Sequence, residues 1–151
     1  MTDAHAPARP ERRGTSAGPA KQFNNPDGIS GTGDRPQHGV VRGHVVTAVG
    51  VLRTRIAEPW TLSSLASEVH LSRSQLVRSL DAVTGNSPMA YLRQMRAEQM
   101  ARLLVSTDLS IAEAARSVGW RNQFHASQCF HAHYGLSPTE FRRRQAVPPV
   151  R

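Results

Sequence analysis

The sequence predicts an all-α fold in which one long helix carries two helix-turn-helix units, and three observations predict it. Apolar residues recur at spacings of three and four from Val41 onward, the helical period. Ser-x-x-Gln/Glu capping boxes, which satisfy orphan N–H groups at helix starts, stand at Ser72 with Gln75, Ser110 with Glu113 and Ser137 with Glu140. The chain also repeats itself. Leu62, Ala66, Val69, His70 and Leu71 fall on Ile111, Ala115, Val118, Gly119 and Trp120 at an offset of 49. Leu80, Gly85, Ser87, Pro88, Tyr91 and Arg93 then fall on Phe130, Gly135, Ser137, Pro138, Phe141 and Arg143 at an offset of 50. One residue is inserted at the second turn, and the shared Gly-x-Ser-Pro distinguishes this repeat from a loose self-match of helices.

Taken in order, residues 1–40 are dense in Pro, Gly, Ser and Asn with almost no large apolar residue, so burial cannot offset the entropy of ordering them. A disordered arm is expected there, read as a solvated tail rather than a DNA-brushing arm using Arg12 and Arg13. The ordered domain is expected over 41–145, with a disordered tail over 146–151. A first helix from Val41 places Val45, Val49, Leu52 and Ile56 on one face and ends at Pro59. Gly43 and Gly50 weaken it by about 1 kcal/mol each relative to alanine, so it depends on packing. Thr61 caps a short helix with Leu62, Leu65, Ala66 and Val69 apolar. After a turn at His70 and Leu71, a second helix points Leu76, Leu80 and Val83 inward and closes at Gly85. Two short helices joined by a tight turn, with small Ala66 where they cross, have the form of a helix-turn-helix.

The central helix, from Ser87 to Ser106, has an N-cap serine and a first-turn proline, Pro88. Its apolar residues fall on two sides, Leu92, Met95 and Leu103 on one, and Ala90, Ala97, Ala101 and Leu104 roughly opposite. A helix apolar on both sides is gripped by two bodies. At about 1.5 Å per residue it forms a strut of about 27 Å. Beyond it, Ile111, Ala114, Ala115 and Val118 mark a short helix, Gly119 a turn, and a helix from Asn122 carries Phe130 and Tyr134 inward. A last helix holds Phe141 and the basic cluster Arg142, Arg143 and Arg144.

The net charge is +8, and every cation among the 19 Lys and Arg residues except Lys21 is arginine. Arginine's planar donor fork suits phosphate and guanine edges. High-GC codon usage, which also enriches arginine over lysine, is the competing explanation, and charge alone does not decide between them. The lone Cys129 excludes an internal disulfide framework and a cysteine-rich zinc site. With no apolar run long enough for a span and no signal-peptide pattern, a soluble cytoplasmic protein is expected.

At LSSLASEVHLSRSQLVRSLDAVTGNSPMAYLRQMR, ARLLVSTDLSIAEAARSVGW and YGLSPTEFRRR, the sequence resembles the DNA-binding domain of the AraC/XylS family of bacterial transcription regulators. The resemblance covers about Val41 to Arg144. It implies a seven-helix domain in which two helix-turn-helix units are held by the central linker helix. It also implies that the two recognition helices enter successive major-groove segments on one face of the duplex, a spacing of roughly 34 Å. The implied partner is double-stranded promoter DNA, bound by a monomer, with RNA polymerase a candidate second partner and no cofactor. Family members often place a sensor or dimerisation domain before this unit; only about forty residues precede it here, so no small-molecule sensor is expected.

A recognition helix presents its N-terminal and outward residues to DNA. In the first unit these are Ser72, Arg73, Ser74, Val77 and Arg78, with Arg78 suited to guanine O6 and N7, Val77 to a thymine methyl, and Ser72 and Arg73 to phosphate. In the second they are Arg121, Asn122, Gln123, His125, Ser127, Gln128 and His131. Gln123 and Gln128 suit adenine, and Asn122 reads equally as an N-cap or a base contact. The chain departs from the family at Ala126, often aromatic or large, and at Gln128, often arginine. Asp81-Ala82 and His131-Ala132 stand where basic residues are common, and His70 where a turn glycine is usual.

Trp60, Trp120, Phe124 and Phe130 are read chiefly as core rather than as a stacking platform for single strands, with Phe124 the marginal member. His125, His131, His133 and Cys129 lie close in sequence but face different ways on a helix and lack a completing carboxylate, so no metal site is expected. Histidines near phosphate predict mildly pH-sensitive DNA binding. Cys129 is read as a filler in preference to a redox sensor. No phosphate loop, catalytic triad or paired carboxylates support an enzyme. The rival reading is a helical adaptor that contacts the transcription machinery with weak DNA affinity, which a flat salt dependence would favour.

Overall fold

The structure is a computed structural model that describes residues 35–146. Residues 1–34 of the arm expected over 1–40, and residues 147–151 of the tail expected over 146–151, lie outside the described residues; Ala146, expected in the tail, ends the last helix. Seven helices follow one another: α1 (Arg35–Thr54), α2 (Leu62–Glu68), α3 (Arg73–Thr84), α4 (Pro88–Ser106), α5 (Ile111–Ser117), α6 (Gln123–Tyr134) and α7 (Pro138–Ala146). None of the described helices is long and apolar enough to cross a membrane.

The first helix begins at Arg35 rather than at Val41, so residues 35–40, expected in the arm, are helical. Once α1 is nucleated by burial of Val45, Ala48 and Leu52, each further turn adds a backbone bond per residue at little cost, and Pro36 suits the first turn. The helix ends at Thr54, so Ile56 lies in the following turn yet still packs on the same core.

Two cores flank α4. Leu92 and Met95, near its start, join Val45, Leu52, Trp60, Leu65, Leu76 and Leu80. Ala97, Met100, Ala101 and Leu104, further along and roughly opposite, join Ala114, Ala115, Val118, Trp120, Ala126 and Phe130. Leu103, expected beside Leu92, packs on the second core instead. The two cores are displaced along the strut as well as around it, and at Leu103 the position along the axis decides.

The repeat holds in the backbone. Leu71 N–H donates to the Ala66 carbonyl at 2.9 Å and Trp120 N–H to the Ala115 carbonyl at 3.0 Å, the same six-to-one turn bond at an offset of 49. His70 and Gly119, matched at these turns, both have positive φ, 55° and 94°. Gly85 and Gly135 close α3 and α6 at φ 69° each. The fillings differ. Leu76 and Leu80 of the first unit correspond to Ala126 and Phe130, so a small residue and a ring replace two leucines. Phe130 packs tilted against Tyr134 and edge-on against Phe141, with ring centroids 4.7 Å and 5.3 Å away, so the second core is filled by an aromatic cluster.

Candidate nucleic-acid interface

The outer faces of α3 and α6 follow from what their inner faces bury. With Leu76 and Leu80 fully buried, the helical step of about 100° puts Ser74, Arg78 and Asp81 on the opposite side of α3, and all three are exposed. Ala126 and Phe130 orient α6 in the same way, leaving Phe124, Gln128 and His131 outermost. The two rows correspond residue for residue at the offset of 50.

Of the residues expected at a DNA surface, Ser72, Arg73, Ser74, Arg78, Arg121, Asn122, Gln123, His125, Gln128 and His131 are exposed, while Val77 and Ser127 are half-buried on the flank of their helices. Ser72 is the N-cap of α3: its Oγ accepts from Gln75 N–H at 3.1 Å and its own N–H donates to Gln75 Oε1 at 2.9 Å. Asn122 caps α6, with Oδ1 accepting from Phe124 N–H at 2.8 Å and His125 N–H at 3.3 Å. Its carbonyl oxygen is therefore committed to the helix, and the capping reading holds. Arg121 is the residue inserted at the second turn, immediately before that cap. His125 leans back towards Cys129, with Nε2 3.6 Å from the sulfur.

The structure corrects three expectations. Val83, placed inward, is 49% exposed, because nothing covers the last turn of α3 on that side. Phe124, read chiefly as core, is 80% exposed. Its correspondence to Ser74 was the signal that places it in the outer row. Arg142 is not part of a free basic cluster: its Nε donates to the Leu104 carbonyl at 3.2 Å and its Nη2 to the Leu109 carbonyl, tying α7 to the end of α4. Trp60, Trp120 and Phe130 are buried as expected. Asp81, also outside the expected set, shares the outer row of α3 with Arg78.

Electrostatically the two faces differ. The outer side of α3 carries Arg73 and Arg78 against Asp81, whereas α6 contains no Asp, Glu, Lys or Arg and relies on histidine and amide groups. His133 points away to α4, 3.7 Å from Glu98 and edge-on to Tyr134. Burial pushes the Cys129 thiol up, against the pull of Arg93 and Arg96, so the reactive thiolate is disfavoured. Among the described residues no group of three His, Cys, Asp or Glu is placed to hold a metal ion.

The family described as "Helix-turn-helix domain" matches residues 65–144, more than half of the chain. A transcriptional regulator with an AraC-type DNA-binding domain from Chromobacterium violaceum superposes with a TM-score of 0.67 at 27% identity, covering 73% of this chain and 98% of that one. This chain belongs to the AraC family. The DNA-binding domain of AdpA, a global transcriptional factor, solved in complex with a target DNA, superposes with a TM-score of 0.63 at 27% identity, covering 66% of this chain and 89% of that one. The HTH-type transcriptional regulator MtrA of Neisseria gonorrhoeae is 29% identical over 109 residues, 70% of this chain and 36% of MtrA. The chain spans about a third of the length of the curated relatives it matches.

Proposed function

We propose that this chain is a sequence-specific transcription regulator that reads two successive major-groove segments of one duplex, α3 in the first and α6 in the second. The observation that carries the reading is the pair of corresponding outer rows, Ser74-Arg78-Asp81 and Phe124-Gln128-His131, presented by equivalent helices on one strut. The α4 helix of 19 residues is about 28 Å long, close to the roughly 34 Å between successive grooves on one face. The AraC membership and the DNA-bound AdpA domain support it.

Within this reading most of these residues have a stated role. Arg78 takes guanine O6 and N7 with its donor fork, and half-buried Val77 packs on a thymine methyl. Arg73, with the hydroxyl proton of Ser72 and the start of α3, holds phosphate. Gln128 and Gln123 pair with adenine, Phe124 covers a thymine methyl or sugar, and Arg121 holds phosphate beside the α6 cap. Ser127, His125 and His131 border that site. The protein acts in the cytoplasm, on promoter DNA, as a monomer on an asymmetric site, because both readers lie in one chain; RNA polymerase is the candidate partner for activation.

Selection of bound duplexes from a randomised pool, followed by titration of the winner at several salt concentrations, tests this. One asymmetric motif with two short blocks, and affinity falling with a log–log slope near −0.9 per phosphate contacted, is expected. Recovery of no motif with a flat salt response would replace the reading with that of a helical adaptor, which the acid at Asp81 and the absence of permanent charge on α6 would then explain.

A further inference from the structure

We infer that Gly119, Arg96 and the backbone of Ala57 form a lock that fixes the first unit against the second, and so sets the phase between the two reading helices. This rests on the two-reader proposal for its consequence in DNA binding, but its geometry is independent of it. Arg96, half-buried on α4, straddles Ala57 in the turn after α1: its Nε donates to the Ile56 carbonyl at 3.1 Å and its Nη2 to the Glu58 carbonyl at 2.6 Å. Gly119, the turn residue of the second unit, lies directly against the same place. A Cβ there would stand 2.7 Å from the Ala57 carbonyl oxygen, 2.8 Å from Ala57 Cα and 2.8 Å from Arg96 Nη2, closer than side chains approach. The first unit's loop, the strut and the second unit's turn therefore meet at one point with no space for a methyl group.

The repeat supplies the control. At the matching turn of the first unit the residue is His70, whose φ of 55° lies in the left-handed well that side chains other than glycine can occupy. Gly119 has φ 94°, beyond that well, so its turn is bent further as it seats on Ala57. The loop it meets is itself held. Arg55 pairs with Glu58 at 2.7 Å and Glu68 at 2.5 Å, and its guanidinium lies 4.8 Å from the Trp60 ring centroid. Trp60 Nε1 donates to the Arg55 carbonyl at 2.9 Å. A rigid stop on one unit and a residue without a side chain on the other limit rocking about the strut.

Phase matters because each base pair advances the duplex by about 3.4 Å and turns it by about 35°. In the full chain carrying Cys129→Ser, nitroxide labels at Ala82→Cys and Ala132→Cys, exposed and matched on α3 and α6, report the separation without DNA. A narrow distance distribution is expected, broadened at least twofold by Gly119→Ala and by Arg96→Met, and unchanged by His70→Gly. On the selected duplex, wild type should lose about tenfold in affinity when one base pair is added or removed between the blocks. The two lock variants, folded by helical circular dichroism, should flatten that dependence to within about threefold. An unchanged distribution in both folded variants overturns the lock, whatever the DNA result. A broadened distribution with no two-block preference in wild type would uphold the lock and overturn the two-reader proposal instead.

Discussion

Arg78→Ala separates base reading from mere attraction to DNA. The Arg78 side chain is exposed in the outer row of α3 and makes no ion pair among the described residues, so its removal leaves the fold within about 0.5 kcal/mol of wild type. A bidentate pair with guanine provides about 1–3 kcal/mol of discrimination, and about 1.4 kcal/mol is tenfold, so affinity for the selected duplex should fall by about 5- to 150-fold. The loss should be confined to duplexes with guanine at one position. Fluorescence anisotropy with wild type and variant, on the selected duplex and its three single-base alternatives at several salt concentrations, measures both. Wild type should prefer guanine; the variant should bind all four alike with the salt slope unchanged. Arg78→Lys should restore the preference only in part, because an ammonium can donate to O6 and N7 but lacks the rigid planar fork. Uniform weakening on every duplex, with the slope reduced by about one unit, would refute the reasoning and make Arg78 a phosphate clamp.

Three further outcomes follow from the same geometry. Phe124→Ala should leave the melting temperature unchanged, since the ring buries little, yet weaken DNA binding by about three- to tenfold. Replacing the thymine it covers by uracil should cause the same loss and not add to it, whereas additive losses would exclude a methyl contact. Phe130→Ala should cost about 3–5 kcal/mol in urea denaturation, because the ring is fully buried against Tyr134 and Phe141; a loss under about 1 kcal/mol would contradict the packing described. Hydrogen bonds from the Ser110 side chain and backbone hold the Glu113 carboxyl below its usual range, and those from the Ser137 backbone and side chain do the same for Glu140. Lowered folded-state values stabilise above the unfolded value of about 4.3 and cease to do so as pH falls through the folded value. The melting-temperature advantage of wild type over Glu113→Gln with Glu140→Gln should thus be constant near neutral pH and vanish in acid. An advantage that persists in acid would mean that the charged form is not what the caps select.

What the sequence made legible is what neighbouring residues decide among themselves. The capping pairs Ser72 with Gln75, Ser110 with Glu113 and Ser137 with Glu140 are all present, since each is closed within one helical turn. The repeat located both turns and the inward residues Leu76, Leu80 and Phe130. Hidden from that reading were features set by what lies across the fold. Val83 has the spacing of a core residue but no element above it, and Leu103 follows the nearer core along the strut. Arg96 and Arg142 look like surface cations in sequence, yet each donates to two carbonyls more than thirty residues away. Phe124 was legible in principle: aromatic character argued for burial, while its correspondence to Ser74 argued for the outer row, and the structure follows the repeat. The start of α1 at Arg35 escaped because a helix extends from its packed centre into a segment that has no core signal of its own.

A hydroxyl-radical footprint of the full chain on its selected duplex tests the two-reader claim most directly. Two protected patches on the same face, about 34 Å apart, are expected, the first weakened by Arg78→Ala and the second by Gln128→Ala. A single patch that both substitutions weaken equally, or two patches on opposite faces of the duplex, would contradict it.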